Sequence, residues 1–284
     1  MQLYRTLSQY LIKKEASSMG IFSGEFYSSD LQKTTSLRVI FPDSSNDVTP
    51  IVEGEPRVLY LLHGLSGNSA EWSRFSKIEY YAKKYNFIII MPEADRSFYC
   101  DTVCGTRYFT YVADELPVLC SRWFNLTKDP SCTFIAGESM GGCGAVKIAL
   151  RRPGQYEAVA SLSGVLDYPA MVQRVLDGSW PDMQPKEFQA IHGGSGLPKP
   201  EDDPLFLVQK MAANPARPRL LQMCGTEDFL YEDNQRFRRA AEAAGYGHTY
   251  REEPGDHEWP YWDKAIQCAF QFFCGMDIDT SPLF

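Results

Sequence analysis

The chain has 284 residues, of which 44% are hydrophobic, and its formal net charge is −8. This length suits one large α/β domain or two small ones, and the hydrophobic content is ample for a core. The acidic balance argues against nucleic acid or an anionic membrane as the partner, and no apolar run approaches the roughly 20 residues that span a bilayer.

The amino-terminal segment and the cysteines bear on the compartment. The first twenty residues lack the apolar stretch and cleavage pattern of a signal peptide. Leu3, Leu7, Tyr10 and Leu11 follow the spacing of a short amphipathic helix. The eight cysteines are scattered, and no second pair or His-x-His set completes a zinc site. We therefore expect free thiols, no metal and a cytoplasmic protein.

Apolar runs and turn residues divide the chain into strands and helices. Segments 21–28 and 35–41 predict an opening antiparallel pair of strands. The next predicted strands are 57–62, 87–91, 132–137, 158–161, 219–224 and 248–252. The predicted helices are near 76–85, 108–124, 140–151, 231–244 and 259–273, and we expect Pro117 to kink or shorten the second of them. Continuous apolar strands separated by helices indicate a mostly parallel central sheet with helices on both faces.

Residues 166–215 interrupt this alternation. They hold many Pro and Gly residues, include Gly-Gly-Ser-Gly at 193–196 and lack a strong periodicity of their own. We interpret them as an irregular, cap-like excursion over the edge of the sheet. The chain is then a single α/β domain over residues 1–284.

Residues 137–142 read Gly-Glu-Ser-Met-Gly-Gly, between a predicted buried strand and a predicted helix. Gly-x-Ser-x-Gly in that position is typical of the nucleophile elbow of serine hydrolases. The elbow would present the Oγ of Ser139 at the carboxyl end of the strand, where catalytic groups of parallel sheets collect.

A serine nucleophile needs a base, and the chain has four histidines. In elbow-containing hydrolases the base follows the serine, which removes His63. His192 lies in the irregular excursion, and His248 opens a predicted strand. His257 follows the last predicted strand and directly precedes a helix, so it is the candidate base by elimination and by position.

The acid that orients the base should follow the preceding strand. The segment 220–228 ends in Glu227 and Asp228. We prefer Asp228, with Glu227 as the nearest alternative and Asp233 as a more distant one.

The oxyanion of the reaction needs two backbone N–H donors. Met140, directly after the serine, would supply one at a helix N-terminus. The Gly-rich loop 63–68 would supply the other, and the N–H of Leu65 is the best candidate. His63 is then expected to shape this loop.

Aromatic residues gather near the predicted site: Phe98, Tyr99, Tyr108, Trp259 and Trp262. They either line an apolar pocket for an acyl or aryl group or belong to the core. We name Trp259 and Tyr99 as the expected substrate contacts, Trp259 because it follows the candidate base by two residues.

Six segments in this order resemble the esterase D / tributyrin esterase branch of the α/β-hydrolases. This branch also contains feruloyl and acetyl xylan esterases, S-formylglutathione hydrolase and the mycolyl transferases. The segments are 61–68, 91–99, 114–117, 137–145, 224–230 and 255–259. The resemblance implies Ser139, Asp228 and His257 as the triad and Leu65 and Met140 as oxyanion donors. It also implies hydrolysis of short-acyl or aryl esters without a cofactor.

The resemblance is closest to the tributyrin esterase group. S-formylglutathione hydrolases usually read Leu-Thr-Cys where this chain has Leu65-Ser66-Gly67, and they carry His where it has Cys143. These departures argue against a glutathione thioester as the substrate.

We therefore expect a serine carboxylesterase that acts on small-molecule or oligosaccharide esters, with acetyl, butyryl and feruloyl groups all open. An acyltransferase with the same triad and a thioesterase of the S-formylglutathione type are the alternatives. A non-enzymatic binding protein on this fold is disfavoured by the full set of catalytic residues. A homo-oligomer is possible.

Overall fold

The computed structural model describes residues 20–42, 48–180 and 183–281. The helix predicted from Leu3, Leu7, Tyr10 and Leu11 lies outside these residues. The described residues form one sheet of eight strands. These are β1 (Ile21–Ser28), β2 (Lys33–Ile40), β3 (Arg57–Leu62), β4 (Phe87–Pro92), β5 (Thr133–Glu138), β6 (Ala158–Leu162), β7 (Arg219–Gly225) and β8 (Thr249–Glu253).

The strand order is β1-β2-β4-β3-β5-β6-β7-β8. Strand β1 pairs antiparallel with β2, and β2 pairs antiparallel with β4. All the remaining pairs are parallel. The predictions of an opening antiparallel pair and of a mostly parallel sheet are both confirmed.

Helices follow most strands. They are α1 (Glu71–Phe75), α2 (Ile78–Tyr85), α3 (Tyr108–Thr110, Tyr111–Glu115 and Leu116–Phe124 in succession), α4 (Met140–Arg151), α5 (Tyr168–Leu176), α6 (Pro185–His192), α7 (Pro204–Met211), α8 (Tyr231–Ala244) and α9 (Trp259–Phe273). In the described part of the chain, none of them has the length and hydrophobicity required to cross a bilayer.

The sheet is covered on both faces because its strands alternate between two cores. In β3, Leu59 and Leu61 point to the core formed with α1, α2 and α9. Val58, Tyr60 and Leu62 point to the core formed with α3, α4, α5 and α8. This period of two within a fully apolar strand is what a sheet buried on both sides requires.

Helix α3 contains a π turn at the predicted kink. The turn covers Tyr111–Glu115, directly before the straight part that starts at Leu116. Pro117 has no N–H to donate to the carbonyl oxygen of Ala113, four residues earlier. The side-chain amide of Gln155 donates a 2.8 Å hydrogen bond to that oxygen instead.

The excursion 166–215 holds three short helices, α5, α6 and α7, where the sequence predicted irregular structure. Each has Pro at its first or second position. Asp167 and Asp203 cap α5 and α7, and Gln184 forms a capping box with Glu187 at α6. Helices of eight or nine residues are too short to show a clear hydrophobic periodicity. Their capping residues were the only sequence feature that indicated them.

Candidate active site

Ser139 stands on a sharp turn between β5 and α4. Its backbone has φ 53° and ψ −118°, which a non-glycine residue rarely adopts. The glycines on either side allow this turn. A Cβ on Gly137 would lie 2.4 Å from the carbonyl carbon of Gly141, and one on Gly141 would lie 2.5 Å from the carbonyl oxygen of Leu62. The segment therefore has the geometry of a nucleophile elbow.

Ser139, His257 and Asp228 form a continuous hydrogen-bonded chain. The Ser139 hydroxyl lies 3.0 Å from Nε2 of His257. Nδ1 of the same ring lies 2.9 Å and 3.1 Å from the two carboxylate oxygens of Asp228. Because a carboxylate can only accept, Nδ1 carries the ring proton and Nε2 is free to accept the proton of the serine hydroxyl. This arrangement can activate a serine for attack on a carbonyl group.

The three side chains come together because each follows the carboxyl end of a parallel strand. Ser139 follows β5, Asp228 lies three residues after the end of β7, and His257 lies between β8 and α9. Asp228 is 3% exposed, and the N–H of Leu230 donates to it over 2.8 Å. The rings of Phe229 and Trp262 lie 4.3 Å and 4.9 Å from the imidazole. The imidazole of His257 is thus held by the Asp228 carboxylate and by the Phe229 and Trp262 rings.

The alternative acids have other partners. Glu227 accepts a hydrogen bond from the N–H of Gly255 and another from the hydroxyl of Thr226. It therefore stabilises the turn that leads to His257. Asp233 forms ion pairs with Arg174 and Arg236. Only Asp228 of the three candidates contacts the imidazole of His257.

The loop after β3 lies beside Ser139, and both candidate oxyanion donors, Leu65 and Met140, line the same cavity as the serine. The N–H of Ala94 donates to Nε2 of His63 over 3.0 Å, so Nδ1 of His63 carries the proton. That Nδ1–H donates to the carbonyl oxygen of Gly64 over 2.7 Å. His63 is therefore a loop-shaping residue, as the sequence predicted.

Ser139 opens onto a cavity of about 530 Å³. Most of its lining is apolar, and much of it is aromatic. The excursion contributes Met171, Trp180 and Met183, which no sequence pattern assigned to the site. The other apolar lining residues are Leu65, Phe98, Met140, Val165, Phe229, Leu230, Trp259 and Trp262.

Of the two predicted substrate contacts, one lines the cavity and the other does not. Trp259 lines the cavity. Tyr99 is not among the lining residues. Its buried ring packs against Gly144 of α4, where a Cβ would lie 2.3 Å from the ring. The Tyr99 hydroxyl donates to the carbonyl oxygen of His63 over 2.9 Å. The structure thus corrects the expectation for Tyr99, and its neighbour Phe98 reaches the cavity instead.

Three carboxyl groups, of Glu71, Glu138 and Glu258, also line the cavity, and no lysine or arginine is among the described residues that line it. Glu138 is 2% exposed, and burial, reinforced by the charge of Glu71, raises its pKa well above the usual value. Burial also raises the pKa of Glu71, although the charge of Arg74 opposes this. The described residues that line the cavity therefore offer an anion no cationic side chain with which to pair. Sequence reasoning missed these groups.

A second polar cluster lies around Lys147 and outside the lining of the cavity. Ligand atoms of Cys100, His192 and Asp202 lie within 4.8 Å of one another, which would suit a metal ion. The ammonium of Lys147, however, lies 2.8 Å from the Cys100 sulfur and 3.7 Å from an Asp202 oxygen. Burial raises the pKa of Cys100 to about 11, so the sulfur is a neutral acceptor. Lys147 already supplies the cation that these groups could bind.

The chain is similar to known proteins over most of its length. Residues 28–273 match the family model Esterase, described as "Putative esterase". An acetyl esterase of Caldicellulosiruptor saccharolyticus is 28% identical over 260 residues, which cover 89% of this chain and 98% of that protein.

Two solved structures from Staphylococcus aureus are also similar. FphF, a fluorophosphonate-binding serine hydrolase with substrate bound, is 32% identical with a TM-score of 0.78, covering 90% of this chain and 98% of its own. The S-formylglutathione hydrolase FrmB is 33% identical with a TM-score of 0.76, covering 90% of this chain and 99% of its own.

Proposed function

This chain belongs to the esterase family of α/β-hydrolases and is a carboxylic ester hydrolase, and on that premise we propose that it is a serine carboxylesterase acting through an acyl-enzyme on Ser139. The observation that carries the proposal is the chain of hydrogen bonds from Ser139 through His257 to Asp228, beside a mostly apolar cavity that Ser139 and His257 line.

In the proposed reaction the Ser139 oxygen attacks the ester carbonyl while Nε2 of His257 takes the hydroxyl proton. Asp228 keeps the proton on Nδ1 and stabilises the imidazolium. The N–H groups of Leu65 and Met140 hold the oxyanion, and Met140 is at the first position of α4, where its N–H has no acceptor within the helix. His257 then protonates the leaving alcohol, and water repeats the sequence to release the acid.

We propose short-acyl esters of alcohols that carry no negative charge as the substrate class, with acetyl esters first. Two observations support this choice. The acetyl esterase relative matches nearly the whole chain. The cavity also has carboxyl groups and no cationic side chain among the described residues that line it. A glutathione thioester would bring two carboxylates into a cavity that offers them no partner, and desolvating unpaired charge is costly. This disfavours the activity named for FrmB.

We also propose a cytoplasmic location. All eight cysteines are free thiols. A chain with this many unpaired thiols suits a reducing compartment.

The proposal is tested by labelling and by turnover. A fluorophosphonate probe should label the wild type on Ser139, and p-nitrophenyl acetate should be hydrolysed with release of acetate. Ser139→Ala should lose both properties. Ser131→Ala removes an exposed serine away from the cavity and is the matched control. Turnover of p-nitrophenyl acetate by Ser139→Ala at the wild-type rate would overturn the mechanism. Acyl transfer to an added sugar or alcohol, in preference to water, would instead show that the protein is an acyltransferase.

A further inference from the structure

We propose that Lys147, a buried residue of α4 outside the catalytic chain, is a positioning residue that sets the acyl-length preference of the cavity by holding Phe98 in its wall. The inference rests on the proposed esterase function. It concerns which acyl groups are accepted and is independent of how the serine is activated.

Lys147 is 0% exposed and joins three parts of the molecule. Its ammonium donates to the carbonyl oxygen of Phe98 over 2.9 Å and to the sulfur of Cys100 over 2.8 Å. It lies 3.7 Å from Asp202 and 5.1 Å from the centre of the Tyr168 ring, both in the excursion. A buried ammonium needs such partners, because an unpaired one would cost several kcal/mol. Helix α4, the 98–100 segment and the excursion are thus tied to one charge.

The segment that Lys147 holds is strained. Phe98 and Tyr99 have φ values of 50° and 53°, in the left-handed region that costs a non-glycine residue energy. Two such residues in succession persist only where the surroundings hold them in place. The hydrogen bond from Lys147 to the Phe98 carbonyl oxygen acts directly on this strained pair.

The conformation determines what faces the substrate. Phe98 is among the residues that line the cavity with Ser139, although it is only 1% exposed. Its ring packs against the excursion, where the Tyr168 ring stacks at 4.9 Å and the Phe188 ring lies at 5.6 Å. Phe98 is therefore a cavity residue whose backbone carbonyl is held by Lys147 and whose ring is held by two aromatic rings of the excursion.

Removing the Lys147 ammonium should allow Phe98 to move out of the cavity wall. The Phe98 carbonyl oxygen would lose its stronger donor and keep only the Cys100 thiol, 3.5 Å away, so the strained pair would relax to a more ordinary conformation. Because the ring of Phe98 would then leave its place, the cavity would accept longer acyl chains. Ser139, His257 and Asp228 keep their own hydrogen bonds, so the effect should fall on selectivity for the acyl group.

The test is the ratio of kcat/KM for p-nitrophenyl octanoate to that for p-nitrophenyl acetate. Phe98→Ala removes the wall and should raise the ratio by about tenfold or more, since added methylenes in an open pocket are worth factors of this size. Lys147→Met should also raise this ratio. Lys83→Met, which also removes a buried lysine but lies in α2 on the other face of the sheet, is the control and should leave the ratio unchanged.

The double variant Lys147→Met/Phe98→Ala separates positioning from general destabilisation. If Lys147 acts through Phe98, the double variant should have the ratio of Phe98→Ala alone. If Lys147→Met does not fold, Asp202→Asn removes only the neighbouring charge and should raise the ratio to a smaller extent. A folded Lys147→Met, or in its place a folded Asp202→Asn, with the wild-type ratio would overturn the inference. Absence of any Ser139-dependent activity in the wild type would instead overturn the proposed function.

Discussion

The hydroxyl of Tyr99 donates a 2.9 Å hydrogen bond to the carbonyl oxygen of His63, the residue that opens the loop carrying Leu65. The Tyr99 ring is wedged against Gly144 of the helix that begins after Ser139. Tyr99 therefore spans the two segments from which the proposed oxyanion donors come. It supports the position of both without touching the substrate.

Tyr99→Phe should lower kcat for p-nitrophenyl acetate about fivefold with little change in KM. The variant keeps the buried ring and removes one hydrogen bond, which is worth about 1 kcal/mol. The oxyanion forms only in the transition state, so a looser loop should affect kcat first. Steady-state kinetics measure this split. Tyr108→Phe is the control, because its hydroxyl bonds to Asp95 and Tyr108 does not line the cavity. An equal loss in both variants would contradict the role given to Tyr99.

The contrast between Phe98 and Tyr99 illustrates what the sequence could not predict. Both residues fall in the segment 91–99 that marks the family resemblance, and both are aromatic. Which of the two faces the cavity depends on two successive positive φ values. Residue preferences do not predict such values for Phe or Tyr. Lys147 and Tyr168, both distant in sequence, contact Phe98 in this conformation, and neither contact was visible in the sequence.

The grouping of Ser139, Asp228 and His257 was predictable because strand order restricts it. Once a parallel sheet was inferred from the apolar runs, the residues after its strands had to meet at one edge. The lining supplied by Met171, Trp180 and Met183 was not predictable in this way. These residues lie in or next to short capped helices whose packing depends on contacts outside the excursion.

Asp228→Asn should lower kcat by about 10⁴-fold with Ser139 still in place, because an amide does not hold His257 in the tautomer that accepts the serine proton. The measurement is kcat for p-nitrophenyl acetate. Glu227→Gln is the matched control, since Glu227 is the neighbouring acid and contacts Gly255 and Thr226, away from the imidazole. A larger loss in Glu227→Gln than in Asp228→Asn would exchange the roles of the two acids.

The carboxyl groups in the cavity predict an order of preference by charge. Three acetate esters of similar size suffice: acetylcholine, its carbon analogue with a tert-butyl group in place of the trimethylammonium group, and acetyl isethionate. We expect kcat/KM to be at least about tenfold lower for the anionic ester than for the neutral one, a difference of about 1.4 kcal/mol. The cationic ester should be at least as good as the neutral one, helped by the aromatic walls.

This order should weaken as salt is added, because Glu258 is exposed and its field is screened. The double variant Glu71→Gln/Glu258→Gln should narrow the gap between the anionic and neutral esters. Glu55→Gln, an exposed acid that does not line the cavity, should leave the gap as it is. Efficient hydrolysis of the anionic ester by the wild type would instead reopen the glutathione thioester as a substrate.

Glu138 should make the protein less stable as the pH rises. Burial raises the pKa of its carboxyl group well above the usual value in the folded state. Above pH 4.5 the unfolded chain has released this proton while the folded chain retains it. The folded state then binds more protons, so its free energy of unfolding falls as the pH rises, by up to about 1.4 kcal/mol for each pH unit, until the folded carboxyl also ionises.

Glu138→Gln removes this titration while keeping the shape of the side chain. Thermal unfolding of both proteins between pH 5 and pH 9 should therefore show a difference in Tm that moves in favour of the variant as the pH increases. Glu55→Gln should run parallel to the wild type. A constant difference between Glu138→Gln and the wild type across this range would mean that Glu138 is ionised in the folded protein.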